Sequence, residues 1–349
     1  MKPSNGMHRS SLLSLFLTWL IGCSFSVMAQ PPTDDWRLPD PLRNLETSFY
    51  PVWKKPMQSF ICILDQDTIS KTFFSKEGYE IEYREYNKGK LLYRSVHTFA
   101  GGRKQQTLFY ANNQLQSKTS YSYDAAGNLL EWKRVNQQYN KSNQPMGEKT
   151  DVHWQYRYNQ RKRVSEKFRL DQGAATVPVF AYTYDDQGRV TAIHEQQWND
   201  QFTYENDRLI RKERFFQPDH SLYASNIYEY NPEGLLIASS DKFYNGRFQY
   251  AGAQLSQALY RRKRDSSYQE ISFQYQQALL QTVSIRATDP SLQPAFVMKS
   301  DYFYANWKTN SVNQLKYELV YDAQQNITEI RYYCNDRYLY SKRFVYRYY

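Results

Sequence analysis

A nine-residue pattern recurs along most of this chain, and it constrains the possible folds more than any other feature. One copy is "YTYDDQGRV" at Tyr182–Val190. Looser copies are "YSYDAAGNL" at Tyr121–Leu129, "YEYNPEGLL" at Tyr228–Leu236 and "VYDAQQNI" at Val320–Ile327. Weaker copies extend the series from about residue 70 to the C-terminus, and the central ones recur every 20 to 26 residues. Repeats this short are single supersecondary units that bury their apolar faces against neighbouring units.

Each repeat has the composition of a β-hairpin. An alternating aromatic pair, such as Tyr182 and Tyr184, places both rings on one face of a strand, because strand side chains alternate with period two. A tight turn follows, and a second strand then opens on an aliphatic residue such as Val190. The pattern therefore predicts a series of antiparallel hairpins.

Turn chemistry explains the recurring Asp and Gly without a ligand. Asp124 and Asp185 stand at the first position of a type I turn, and Gly127 and Gly188 stand at the fourth, where a positive φ closes the hairpin. A calcium loop needs several converging oxygen ligands, and these turns offer one or two. The shorter repeats predict two-residue hairpin loops at Asn112–Asn113, Asn206–Asp207 and Asn245–Gly246.

The predicted fold class is all-β. We expect an antiparallel meander of repeated hairpins, curled or layered into one elongated repeat domain over residues 57–349, because a single flat sheet would expose a large apolar surface. The mean hydropathy of −0.81 would be typical of a disordered chain if aromatic residues were scarce. They make up 17% of the chain and include 33 tyrosines, which supply a core of large amphipathic rings.

The motif Y-x-Y-D-x-x-G-x-L/V resembles the YD repeat, also called the Rhs repeat, of bacterial secreted and surface proteins. The resemblance is carried by the copies at Tyr121–Leu129 and Tyr182–Val190, and more loosely by those at Tyr228–Leu236 and Tyr321–Ile327. It implies antiparallel strands that spiral into a shell, with roles in carbohydrate binding or in enclosing toxin domains. The chain departs from the toxin members, because it shows no Rhs-core processing motif and ends on the repeat-like "RFVYRYY".

Residues 1–29 have the features of a secretory signal peptide. Lys2 and Arg9 precede the apolar run from Leu12 to Ile21, and "VMAQ" offers a cleavage site after Ala29. Within this segment "LIGC" resembles a lipobox, so Cys23 is a lipidation candidate, although the apolar "SFSVMA" after it favours simple secretion. Residues 30–56 are proline-rich and predict a tether. We expect an exported protein of the periplasm, outer-membrane surface or extracellular space.

No cofactor, metal or catalytic motif is predicted. The histidines are scattered singly, and no H-E-x-x-H, G-x-S-x-G or phosphate-binding glycine loop is present. Cys62 and Cys334 remain after signal cleavage; they form either a disulfide, which export permits, or two free thiols that pack as small apolar residues.

Two groups of residues are candidates for ligand binding. Trp132, Trp154, Trp198 and Trp307 stand beside polar residues, as expected of sugar-stacking rings, although core packing is the alternative. The basic run Arg261, Arg262, Lys263 and Arg264 is flanked by tyrosines, a mixture that suits polyanions, although such runs also protect strand edges. Without residues 1–29 the chain has 43 basic and 35 acidic residues, a net charge of +8.

The predicted function is non-enzymatic binding of envelope glycans or polyanionic polymers at the cell surface. The alternative is a structural or protein-interaction module that accepts a partner at its sheet edges, and an unrecognised hydrolase is more remote. Nucleic acid is a less expected partner for an exported protein. Membrane contact is expected only through a lipid on Cys23, because "RLIRKERFF" places charges on both faces of its strand and neither face suits hydrocarbon.

Overall fold

All regular structure in the described part of the protein is β-strand, which confirms the predicted all-β class. The computed structural model describes residues 57–64, 66–170, 177–288 and 314–349. The predicted signal segment, the tether, Cys23 and Trp307 lie outside these residues. In chain order, strands β1 to β22 span Met57–Leu64, Asp67–Phe74, Glu80–Asn87, Lys90–Ala100, Arg103–Ala111, Gln114–Tyr123, Leu129–Tyr139, Pro145–Tyr158, Val164–Arg169, Phe180–Tyr184, Val190–Glu195, Trp198–Glu205, Arg208–Phe216, Ser221–Tyr230, Leu236–Ser240, Tyr244–Ala251, Gln254–Arg262, Tyr268–Gln276, Leu279–Ala287, Gln314–Tyr321, Ile327–Cys334 and Arg337–Tyr348.

The strands form one antiparallel meander that closes on itself. Each strand pairs with the next along the chain, and the last strand, β22, pairs with β1 through partners such as Phe60 and Tyr346. Of the two predicted arrangements, curled or layered, the sheet adopts the curled one. Closure gives every described strand two partners, so the long free edges that a protein partner would need are paired. The shortest seam joins β9 to β10, where only Phe180↔Lys167 and Ala181↔Glu166 are in register.

The longer turns, which begin at the Asp or Asn of the repeat, have the predicted chemistry. In the hairpin at Asp185, the Gly188 N–H donates to the Asp185 carbonyl at 2.9 Å, and the Arg189 N–H donates to Asp185 Oδ1 at 2.8 Å. Gly188 has a φ of 82°, in the left-handed region that glycine enters without strain. The hairpins at Asp124, Asn231 and Asp322 repeat the side-chain bond at 2.8 Å.

Two of the three predicted two-residue loops are confirmed, and the third is wrong. Both residues of Asn112–Asn113 and of Asn206–Asp207 have positive φ, as such loops require. Asn245–Gly246 instead lies inside β16. The turn precedes it, where Asp241 Oδ1 accepts the N–H groups of Phe243 and Tyr244. Glycine is needed at 246 for packing, because a Cβ there would lie 2.6 Å from Ser239 Oγ.

The two faces of the sheet differ sharply in burial. On β12, Asp200 and Phe202 are buried, whereas Gln201 and Thr203, which alternate with them, are exposed. All described elements belong to this one sheet, so the buried face is the one that the closed sheet turns inwards; we call it the inner face. Its largest apolar cluster draws on β10 to β22 and includes Ile193, Phe202, Phe248, Ile271, Phe273, Val283, Ile285, Leu315, Tyr317, Ile330 and Tyr332.

The second aromatic of most repeats lies at a β-bulge and joins neighbouring hairpins. The register shifts immediately before Tyr204 and before Tyr230, for example. The hydroxyl then donates to a backbone carbonyl of the preceding hairpin. We call this series the tyrosine ladder: Tyr123 to Lys104 at 2.8 Å, Tyr158 to Leu129 at 2.7 Å, Tyr184 to Val164 at 2.6 Å, Tyr204 to Val190 at 3.0 Å, Tyr230 to Leu209 at 3.0 Å, Tyr250 to Leu236 at 2.9 Å and Tyr321 to Leu280 at 2.6 Å.

An arginine from the preceding hairpin covers several rings of the tyrosine ladder. The Arg208 guanidinium lies 5.7 Å from the Tyr230 ring centroid and beside Gly234, where a Cβ would approach Arg208 Nη2 to 2.2 Å. The same relation holds for the following sets: Arg103 with Tyr123 and Gly127, and Arg163 with Tyr184 and Gly188. The repeat glycine therefore serves both the turn and the fit between hairpins.

Cys62 and Cys334 are free thiols, so the disulfide alternative is wrong for this structure. Strand β22 lies between their strands. In its register Cys62 is opposite Phe344 while Cys334 is opposite Arg337, so the two thiols are separated both across and along the sheet. Burial raises the pKa of the Cys62 thiol to about 11, as expected of a packed, unreactive cysteine.

Candidate ligand-binding site

The three predicted tryptophans in the described residues are all half-buried and lie in two places. Trp132 on β7 and Trp154 on β8 are direct cross-strand partners. Trp198 lies apart from them, at the start of β12. None of the three is as exposed as a surface sugar platform was expected to be, because their rings pack against neighbouring side chains.

Trp198 belongs to an aromatic cluster at one end of the sheet. Its ring centroid lies 5.2 Å from that of Phe216 and 4.9 Å from that of Tyr223. Tyr223 is 54% exposed, so the cluster reaches solvent through this ring. These residues stand where β12 begins and where β13 passes to β14, and in an antiparallel meander such connections share one end of the sheet.

A lysine extends the cluster to a second exposed ring. Lys242 Nζ lies 4.5 Å from the Tyr223 centroid and 5.9 Å from that of Phe243. Phe243 is 62% exposed and stands in the turn between β15 and β16, which Asp241 caps. The turn therefore holds an apolar ring out in solvent, next to a cation and a second ring.

The predicted basic run lies directly against this turn. The Lys263 N–H donates to the Phe243 carbonyl at 2.8 Å, and Lys263 Nζ donates to Ser240 Oγ at 2.9 Å. Arg262 is paired with Asp265 at 2.6 Å. The hydrogen bond from Arg262 is the main reason why the pKa of Asp265 lies well below its usual value.

The structure thus brings two separately predicted groups together, and we call the combined surface the aromatic–basic rim. It consists of Trp198, Tyr223, Lys242, Phe243, Arg261, Lys263 and Arg264. Within the described ranges, none of its four cations forms an ion pair with a carboxylate. The rim therefore carries a local excess of positive charge among accessible rings.

Charged groups beneath the rim are mutually neutralised. Asp200 is 1% exposed and accepts from Lys212 at 2.7 Å and from Arg214 at 2.6 Å. Burial alone would raise the pKa of Asp200, but the bonds from Arg214 and Lys212 outweigh it and the pKa is lowered. Arg214 also reaches Glu195 at 3.2 Å and lies 5.7 Å from the Trp198 centroid. This network holds Arg214 in place, and the Trp198 ring packs against Arg214.

The sequence did not predict three residues of the rim: Tyr223, Lys242 and Phe243. Tyr223 falls outside the repeated aromatic pair, and Phe243 stands in a turn that was assigned to the wrong position. An aromatic residue in a turn capped by Asp241 was the available signal, since a turn has no inner face on which to bury a ring.

Two other kinds of feature, metal-binding clusters and membrane-spanning helices, are absent from the described residues. No group of three or more His, Cys, Asp or Glu side chains there is placed to hold a metal ion. No helix in the same residues is long and apolar enough to cross a membrane.

No family model and no curated protein sequence matches the chain. Among solved structures, the crystal structure of TcdB2-TccC3-Cdc42 is similar at 12% identity with a TM-score of 0.37, over 76% of this chain and 19% of that one. The chain therefore spans about a fifth of that relative. A porin-like protein from Bacteroides uniformis ATCC 8492 is similar at 6% identity with a TM-score of 0.27, over 84% of this chain and 98% of that one. Function consequently rests on the residues of this chain.

Proposed function

We propose that this is an exported, non-enzymatic protein of the cell envelope that binds an acidic glycan or a similar polyanionic polymer at the aromatic–basic rim. The observation that carries the proposal is the continuous contact from Trp198 through Tyr223 and Lys242 to Phe243, whose backbone carbonyl accepts the Lys263 N–H. Flat rings offer faces on which sugar rings stack, and the adjacent ammonium groups attract carboxylate, phosphate or sulfate. We further propose that the hairpins are divergent YD repeats, a view supported by their recurring turn and aromatic pair.

The absence of catalysis is also a proposal, supported by the surroundings of the best-placed histidine. His97 is 8% exposed and lies between Glu80, at 3.2 Å from Nε2, and the Thr107 hydroxyl, at 2.9 Å from Nδ1. Because both ring nitrogens are occupied and the ring is buried, we assign His97 to linking β3, β4 and β5. A His97→Gln protein that keeps its glycan affinity and folding, and that loses a hydrolytic activity, would contradict this assignment.

The proposal is tested by measuring the binding of the purified protein to lipopolysaccharide, an acidic polysaccharide and a neutral polysaccharide at low and high salt. We expect Tyr223→Ala combined with Phe243→Ala to lower affinity for the acidic polymers about tenfold or more, through the loss of two ring faces. Lys242→Gln should weaken binding mainly at low salt, because screening already removes the charge contribution at high salt.

The matched control is Tyr338→Ala. Tyr338 is 50% exposed, close to the 54% of Tyr223, and lies on β22, eight strands further round the sheet. We expect its removal to leave binding unchanged. Equal losses in the control and rim variants would refute a localised site, and no binding of the unaltered protein to any polymer would refute glycan recognition and leave a protein-interaction role.

A further inference from the structure

The inner face has a dry half and a wet half. On β18 to β20 its side chains are fully buried, as shown by Ile271, Val283 and Ile285 at 0% exposure and Tyr317 at 1%. On β6 to β9, Tyr156 is also buried, at 3% exposure, but its inward neighbours Tyr121, Trp132 and Trp154 are only half-buried. A sheet that closed on a uniformly packed core would bury both halves equally. The wet half therefore borders a space that solvent reaches.

Four consecutive strands place a row of large side chains along this wet half. Tyr121 on β6 is opposite Trp132 on β7, Trp132 is opposite Trp154 on β8, and Trp154 is opposite Arg169 on β9. We call this row the inner belt. Neighbouring strands lie about 4.8 Å apart, so the belt is about 14 Å long, roughly the length of two to three sugar rings.

Contacts around the belt hold its rings and add positive charge. Trp132 Nε1 donates to the Tyr156 hydroxyl at 3.0 Å, which fixes the indole. Lys167 Nζ lies 4.6 Å from the Trp154 centroid and the Arg169 guanidinium lies 6.0 Å from it. Two cations therefore lie close to the Trp154 ring.

Hydrogen-bonding groups continue the belt on the side away from these cations. Burial raises the pKa of Tyr121, and the nearby Thr107 hydroxyl, which bonds His97, opposes this rise. Arg134 and Asp151 form an ion pair further along the same two strands as the tryptophans, with Arg134 Nε 2.7 Å from Asp151 Oδ2. Ring faces, hydroxyls and cations thus occur together, which is the combination that fixes a polar ring-shaped ligand in a cleft.

We infer that the inner belt is a second binding subsite, which takes a short acidic saccharide. Its sugar rings stack on Trp132 and Trp154, and its carboxylate lies against Lys167 and Arg169. The inference rests on the proposed function, since it assigns an interior place to a short stretch of the same acidic glycan. The rim holds the long polymer from outside, and the belt holds two or three of its units inside the sheet.

Calorimetric titration of the purified protein with trigalacturonate, and with neutral maltotriose for comparison, tests this. We expect trigalacturonate to bind more tightly, and Trp154→Ala to weaken it about tenfold or more. Lys167→Gln should lower affinity for trigalacturonate while leaving maltotriose unchanged. Trp154→Phe keeps a stacking ring and should retain part of the affinity, which separates ring loss from misfolding.

Rim variants distinguish this inference from the proposed function. The double variant Tyr223→Ala, Phe243→Ala should weaken binding of the long polymer and leave trigalacturonate affinity unchanged. Trp154→Ala should instead weaken trigalacturonate binding. The inner subsite would be overturned, and the rim left intact, if the protein bound the polymer but not the trisaccharide. The same conclusion would follow if Trp154→Ala kept full affinity for the trisaccharide. Trisaccharide binding that falls only in the rim variants would assign both ligands to the rim.

Discussion

Replacement of Gly234 by alanine tests whether the repeat glycine is required by the neighbouring hairpin as well as by its own turn. Gly234 has a φ of 89°, and a left-handed conformation costs an alanine about 1 to 2 kcal/mol. A Cβ at this position would also displace the Arg208 guanidinium, from which it would lie 2.2 Å. Arg208 would then lose its contact with the Tyr230 ring, a cation–π interaction of about 0.5 to 1 kcal/mol. We therefore expect Gly234→Ala to lower the free energy of unfolding by about 1.5 to 3 kcal/mol.

Gly252 supplies the matched control. It has a φ of 62°, and no atom lies within 4 Å of the position that a Cβ would take. Gly252→Ala should therefore cost only the backbone strain, about 1 to 2 kcal/mol. The difference between the two variants isolates the contact between hairpins.

A double-mutant cycle in urea completes the test. In an Arg208→Ala protein, Gly234→Ala should cost no more than Gly252→Ala does, which corresponds to a coupling energy of about 1 kcal/mol between residues 208 and 234. Unfolding midpoints and slopes are followed by circular dichroism, since an altered slope would indicate a change in cooperativity. Strictly additive effects would refute the argument that the glycine accommodates the arginine.

Three further outcomes are expected. Tyr204→Phe removes the hydroxyl bond to the Val190 carbonyl and should cost about 1 kcal/mol in urea unfolding; an unchanged midpoint would show that this rung of the tyrosine ladder is dispensable. Asp200→Asn removes the buried carboxylate charge that pairs with Lys212 and Arg214 and should cost about 3 kcal/mol, whereas Glu229→Gln at an exposed pair should change the free energy of unfolding by less than about 0.5 kcal/mol. Alkaline titration should destabilise the protein, because the unfolded phenols ionise near pH 10 while burial raises the pKa of four folded ones to about 12: Tyr123, Tyr158, Tyr230 and Tyr321. Their contribution is complete below pH 10 and is lost as pH rises towards 12, so unfolding midpoints that stay constant across this interval would contradict the burial of these hydroxyls.

The sequence by itself determined the strands and most of their turns, because those features depend on near neighbours along the chain. Period-two alternation places Tyr182 and Tyr184 on one face wherever the strand lies, and the bond from Arg189 N–H to Asp185 forms within five residues. The all-β antiparallel class follows from repeating such units. Asn245–Gly246 shows the limit of this reasoning, because the cap at Asp241 and the packing of Gly246 against Ser239 outweighed a favourable loop dipeptide.

Only the tertiary structure decided what depends on residues far apart in the chain. Pairing of Phe60 with Tyr346 closes the sheet, and the accumulated twist and bulges of all 22 strands determine whether those two ends meet. Closure then divides one face into a dry half and a wet half, so chemically similar rings become core at Tyr317 and a candidate binding surface at Trp154. The meeting of Trp198 with the basic run has the same origin, because successive connections of an antiparallel meander gather at one end of the sheet, whatever their distance in sequence.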